Sequence, residues 1–180
     1  MEWLNEPTEW NARTGGLSAR SEAGTDFWRK THDGGTRHNG HYYSDVVSGD
    51  FTARVKITGD FRSQYDQAGL MVRIDDRLWL KCGIEFMDGN QYASVVVTRE
   101  YSDWSIVAVP NPRALWIEVE RKTTTSTVRY SLDGVAYETL RQTFLTDKRE
   151  QQVGMMLASP KGPGFDVHFE DYVLTVPASH

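Results

Sequence analysis

From Phe51 onward, apolar and polar positions alternate along the chain. In Phe51-Thr52-Ala53-Arg54-Val55-Lys56-Ile57 every second residue is apolar, the period of a strand with one buried face. Ala68, Leu70, Val72 and Ile74 form one face of the next run, opposite Gln67, Gly69, Met71 and Arg73. Leu78, Leu80, Cys82, Ile84 and Phe86 continue the pattern, opposite Trp79, Lys81, Gly83 and Glu85. Further runs cover residues 92–98, 104–109, 115–119, 128–132, 153–157 and 165–176. Turn signals such as Asn39-Gly40, Gly49-Asp50, Gly59-Asp60, Asp88-Gly89-Asn90 and Pro110-Asn111-Pro112 separate them. Ser131-Leu132-Asp133-Gly134-Val135 predicts a tight hairpin, because Asp-Gly accepts the positive φ angles of a type I′ turn. Helical spacing is nearly absent.

This pattern predicts an all-β fold, a two-sheet antiparallel sandwich. Ala68, Leu70, Val72, Leu80, Ile84, Val119 and Tyr130 are expected on one shared buried face. No linker, low-complexity tract or fixed repeat divides the 180 residues, so one domain over 1–180 is expected.

The faces turned away from that core are the place to look for chemistry. Asp50, Thr52, Arg54 and Lys56 make an ordinary charged face. The strand from Leu78 to Phe86 instead presents Trp79, Lys81 and Glu85 around Gly83, which leaves room for a ligand to approach the sheet. Lys81 and Glu85 lie about 13 Å apart along the strand, too far to pair directly within it. Trp116 and Glu118 share the polar face of another strand. Exposed tryptophans beside carboxylates and a lysine suit sugar recognition by ring stacking and hydrogen bonds; the competing reading is tryptophans packed under loops and ordinary surface charges.

Composition narrows the functions. The formal net charge is −5, with 20 Lys and Arg against 25 Asp and Glu. A nucleic-acid or anionic-membrane partner is therefore not expected, since both need a basic face. One cysteine, Cys82, excludes an internal disulfide and favours a reducing compartment. It sits on the apolar face of its strand, where core packing is its expected role. The first residues carry no signal-peptide pattern, no run is long and apolar enough for a membrane span, and no N-glycosylation sequon occurs, so a cytoplasmic location is expected.

Residues 31–41 hold three of the five histidines. His38-x-x-His41 near Asp33 or Asp45 has the look of a metal pair, but no further ligand stands at a recognisable offset, so neither metal nor cofactor is expected. Glycosidase chemistry needs two carboxyls about 5–10 Å apart. The pair Glu118 and Glu120 is set aside, which leaves Glu85 with Asp66, Asp103 or Glu118 across strands. Motifs of α/β-hydrolases, P-loops, dinucleotide folds and zinc proteases are missing.

Taken in order, Thr25-Asp26-Phe27-Trp28, Thr31-His32, Asn39-Gly40-His41, Gly49-Asp50-Phe51, Tyr65-Asp66-Gln67-Ala68-Gly69-Leu70-Met71-Val72-Arg73, Trp79-x-Lys81-x-Gly83-Ile84-Glu85, Ser94-Val95-Val96-Val97-Thr98 and Ser102-Asp103-Trp104-Ser105 resemble the regulation-of-enolase family, uncharacterised proteins of the concanavalin A-like superfamily. The chain is similar, more distantly, to sandwich domains appended to some β-xylosidases. The resemblance covers nearly the whole chain. It implies a two-sheet jelly roll, and it implies that Trp28, His32, His41, Asp66, Gln67, Lys81, Glu85, Ser94, Thr98, Asp103 and Trp104 belong to the family pattern. The chain departs from that pattern after Thr31-His32, where Asp33-Gly34-Gly35-Thr36 replaces an aromatic pair.

The expected function is binding of a carbohydrate or small sugar-like metabolite in a polar, tryptophan-lined groove on the concave sheet. Lys81 and Glu85 are expected in its floor, Trp104 as a wall, and His32 and His41 at the rim. One alternative is a glycoside hydrolase or sugar isomerase with Glu85, Asp103 or His41 in catalysis. The other is a regulatory module that contacts a protein.

Overall fold

The computed structural model describes residues 1–177. Among them sixteen strands form: β1 (Glu2–Leu4), β2 (Trp10–Arg13), β3 (Gly16–Arg20), β4 (Phe27–Arg29), β5 (Thr36–His38), β6 (His41–Ser48), β7 (Phe51–Gly59), β8 (Gln67–Asp75), β9 (Leu78–Met87), β10 (Asn90–Arg99), β11 (Tyr101–Ala108), β12 (Leu115–Lys122), β13 (Thr125–Ser131), β14 (Glu138–Phe144), β15 (Glu150–Ala158) and β16 (Asp166–Thr175). No described residue is helical, so no helix long and apolar enough to cross a membrane occurs among them.

The strands make two seven-stranded antiparallel sheets, in the orders β1-β6-β15-β8-β9-β10-β11 and β14-β13-β12-β7-β16-β3-β2, and a separate β4-β5 hairpin. The chain crosses from the first sheet to the second and back at β6-β7-β8, and from the second to the first and back at β14-β15-β16. This is the expected all-β jelly-roll sandwich. Leu70, Val72, Leu80 and Val97 of the first sheet meet Val55, Ile57, Ile117 and Phe169 of the second in one core, and all seven core residues expected from the alternation belong to it. Burial of such apolar faces supplies the main driving force for the fold, roughly 25 cal/mol per Å².

Two local expectations change. The segment after Ser131 is not a two-residue hairpin: residues 132–137 separate β13 from β14. The Asp133 carboxylate accepts the backbone N–H groups of Val135 (2.8 Å) and Ala136 (2.9 Å), a side-chain network that competes with the tight turn. Two consecutive positive φ angles occur instead at Asp88 (50°) and Gly89 (80°), between β9 and β10.

The second change matters for function. The glycine- and histidine-rich segment 31–41 is not simply a solvated loop. With Phe27 and Trp28 it builds the β4-β5 hairpin, which lies on the outer face of the first sheet. There Phe27, Tyr42, Met71, Trp79, Val96 and Met156 form a second apolar cluster. Trp79, expected on an open face, is fully buried, with its ring 6.3 Å from that of Phe27.

Candidate functional site

The strand register puts Gln67, Gly69, Met71 and Arg73 of β8 beside Glu85, Gly83, Lys81 and Trp79 of β9. Tyr92, Ser94, Val96 and Thr98 of β10 follow in the same rows. In the next strand, Trp104 stands opposite Val96 and Ser102 opposite Thr98. Residues directly opposite on antiparallel strands share a face, so these side chains all stand on the outer face of the first sheet. At its centre Gly69 and Gly83 lie side by side. A Cβ on Gly69 would come within 1.8 Å of the Cys82 carbonyl oxygen, and one on Gly83 within 2.0 Å of that of Ala68. The pair gives a floor without side chains, over which longer neighbours can bend.

Lys81 does so. Its ammonium donates to the Phe27 carbonyl oxygen (2.6 Å) and to Gln67 Oε1 (2.6 Å), and lies 3.5 Å from Asp26 Oδ1. The Gln67 amide donates in turn to the Tyr65 carbonyl (3.2 Å) and to Asp26 Oδ1 (3.4 Å). Glu85 reaches the other way. Its Oε2 accepts the Ser94 hydroxyl (2.6 Å) and the Trp104 indole N–H (2.9 Å). Its Oε1 takes no hydrogen bond from the described residues, yet it is not among their sealed, unpartnered atoms. Burial pushes the Glu85 carboxyl above its ordinary range; the nearby Lys81 charge and the Ser94 and Trp104 donors pull it back, and Asp26 adds to the rise.

Gln67, Lys81, Gly83, Glu85, Ser94 and Met156 line a hollow of about 10 Å³. That is room for about one water molecule, so the expected open groove is a small, partly covered hollow. The hairpin closes one side. Trp28 and Trp104 meet edge to face beside it (6.5 Å, 87°), and Trp104 remains 39% exposed.

Several residues of the sequence pattern hold this covering layer and do not reach the hollow. His41, expected at the rim, is buried: Nε2 accepts the Glu22 N–H (3.0 Å) and Nδ1 bonds the Asn5 carbonyl (2.7 Å), so neither ring nitrogen is free for a ligand. Thr98 bonds Ser102 (2.9 Å), whose hydroxyl accepts the Arg29 N–H of the hairpin (2.9 Å). Both oxygens of Asp66 are occupied, by the N–H groups of Arg62 and Ser63 and by the Ser159 hydroxyl. His32 is exposed at the hairpin turn. The second histidine of the suspected metal pair, His38, contacts the Arg29 guanidinium (3.1 Å).

The carboxylate partners proposed for Glu85 lie elsewhere. Asp103 pairs in register with Val97, which faces the core, so it points away from the hollow and binds Arg141 of β14 (3.1 Å). Glu118 belongs to the second sheet, paired with Arg129 (2.8 Å). Trp116 beside it packs under the loop after Ser131, at Gly134. The carboxylate that does approach is Asp26, which the sequence reading did not select. Its signal was its place directly before Phe27-Trp28, where the chain turns onto the sheet.

A buried carboxylate whose burial is only partly offset has a measurable cost. A carboxyl raised in the folded state favours that state while protonated, below its unfolded value, and the contribution is lost as the pH rises through the raised value. Glu85→Gln keeps the shape and removes the charge. It is expected to raise the melting temperature above pH ~7 and to leave it nearly unchanged near pH ~4. An equal effect at both pH values would show that the charge is not the cause.

Comparison with known proteins agrees with this architecture. Residues 3–177 match the family described as "Protein of unknown function (DUF1349)". The chain is 37% identical over 176 residues to Regulation of enolase protein 1 of Saccharomyces cerevisiae, covering 97% of this chain and 89% of that protein. The crystal structure of a functionally unknown protein from Saccharomyces cerevisiae superposes with a TM-score of 0.93 at 36% identity, over 99% of this chain and 97% of that one. Two more distant structures share the fold. The GH43 BlXynB protein from Bacillus licheniformis gives a TM-score of 0.72 at 16% identity, over 94% of this chain and 35% of that one. The carbohydrate binding module CBM66 from Bacillus subtilis gives 0.60 at 12% identity, over 97% and 95%. The chain therefore belongs to the regulation-of-enolase family, described as proteins of unknown function (DUF1349).

Proposed function

We propose that the chain binds a carbohydrate or a small sugar-like metabolite at the Glu85 hollow. The observation that carries this reading is Glu85 itself: one carboxylate oxygen is held by Ser94 and by Trp104, whose ring meets Trp28 edge to face, and the other takes no donor from the described residues. A fixed acceptor beside an indole edge suits a polyhydroxylated ring, which offers hydroxyl donors and an apolar face. The carbohydrate-linked names of two fold neighbours support the same direction. Binding is favoured over acid–base catalysis, because Asp103 and His41 stand away from Glu85 and are engaged elsewhere. The hollow is too small for a sugar ring, so entry requires Trp104 or the hairpin to move aside. The lone, buried Cys82 thiol suits the cytoplasmic location that the sequence favours.

The test is a library of glycans and sugar metabolites screened by saturation-transfer NMR against the native protein and Glu85→Gln. A ligand is expected whose signals vanish in the variant while its circular dichroism stays native. A ligand bound equally by both, or no ligand at all, would reject the reading.

A further inference from the structure

The hydrogen-bonding groups around the hollow are unequally spent. The three N–H bonds of Lys81 match its three acceptors, Phe27 O, Gln67 Oε1 and Asp26 Oδ1. Both Gln67 amide protons are committed to Tyr65 and Asp26. The Ser94 hydroxyl proton goes to Glu85, the Trp104 N–H is shared between Glu85 and Ser94, and the Trp28 N–H goes to the Thr31 carbonyl (2.7 Å). What remains is acceptor capacity. Glu85 Oε1 takes no donor from the described residues. Asp26 Oδ2 takes none either, since the Phe27 N–H, Gln67 and Lys81 all converge on Oδ1.

The charges point the same way. Glu85 and Asp26 are two carboxylates against the single ammonium of Lys81, which leaves one negative charge. The other basic groups around this face have their contacts outside the hollow: Arg29, Lys30 and Arg77 share Glu100, Arg37 binds Asp33, and Arg73 binds Asp76. Glu85 is more than nine-tenths buried and lines the hollow. A buried charge without full compensation is costly, and a ligand that brings the missing cation relieves the cost. The Trp104 indole turns its N–H edge to Glu85, so the attraction for a cation comes from the carboxylates, through charge-assisted hydrogen bonds.

We propose that the ligand of this site carries a protonated amine on a sugar-like frame, an amino sugar or an equally small ammonium-bearing polyol. This rests on the carbohydrate-binding reading above and makes it specific. It also fixes the role of Lys81. That lysine does not hold an anionic group of the ligand; it clamps the hairpin and Gln67, and phosphorylated or acidic sugars are repelled.

Isothermal titration calorimetry at neutral pH with glucosamine, glucose and glucuronate tests the proposal, using the native protein, Glu85→Gln and Asp103→Asn. Glucosamine is expected to bind at least roughly tenfold more tightly than glucose, the order that a hydrogen bond to a charged group adds over a neutral one. Glucuronate is expected not to bind. The preference should disappear in Glu85→Gln and persist in Asp103→Asn, whose side chain lies on the other face of β11. Equal binding of glucose and glucosamine, or any binding of glucuronate, overturns the amine inference and leaves the carbohydrate reading standing. Failure of all three sugars overturns the amine inference as well. The carbohydrate reading then falls with it only if the wider library also yields nothing that depends on Glu85.

Discussion

Replacing Lys81 by methionine is expected to destabilise the protein by about 3–5 kcal/mol, the range for removing one partner from a buried ion pair. Methionine keeps most of the aliphatic length over the glycine floor and takes away only the ammonium. The Phe27 carbonyl and Gln67 Oε1 then lose this donor, and Asp26 Oδ1 loses one of three. Glu85 loses the cation that offsets its burial. An exposed lysine would change stability by no more than about 0.5 kcal/mol, so denaturant unfolding at 25 °C separates the two situations. A loss below about 1 kcal/mol would mean that Lys81 is solvated and that the hairpin does not depend on it. The double variant with Glu85→Gln should lose less than the sum of the two single changes, because the second substitution removes the carboxylate that the first leaves uncompensated.

The alternation of β7 to β10 made the faces legible. Trp79, Lys81, Gly83 and Glu85 stand together because a strand has a period of two, and the register brings Gln67, Ser94 and Thr98 beside them. Period says which side a residue takes; it does not say what lies above it. The β4 and β5 strands have three residues each, too few to show a period, so the layer that buries Trp79 and turns a groove into a hollow left no trace in the pattern. The same gap explains His41. Its type and its place in a glycine-rich stretch suggest a rim ligand, whereas the Glu22 N–H and the Asn5 carbonyl use both ring nitrogens to anchor the layer. Asp103 and Trp104 are adjacent in sequence, and adjacent residues of a strand face opposite ways. Naming both as site residues therefore put one of them on the wrong side of β11, and the structure keeps Trp104.

Leu70→Ala should cost about 2–5 kcal/mol, the range for a large-to-small change at a core site. Leu70 has no exposed surface and sits between Met155 and Cys82 on the inner face of β8, a strand flanked on both sides by others. Neighbouring backbone is fixed by two ladders, so the cavity cannot close by local collapse and the upper half of the range is expected. The informative comparison is Met71→Ala, one residue on and on the opposite face. In a plain sandwich that face meets solvent and truncation costs little. Here Met71 is also without exposed surface, packed in the cluster with Phe27 and Trp79. Both substitutions should therefore lower the denaturation midpoint without changing the slope of the transition, Leu70→Ala by more, because the hairpin above Met71 can settle into the space. A free-energy loss at Leu70 with none at Met71 would show that the hairpin adds no packing to the outer face. The reverse order would mean that the outer face of β8 is packed more tightly than the inner core, contrary to the strand register.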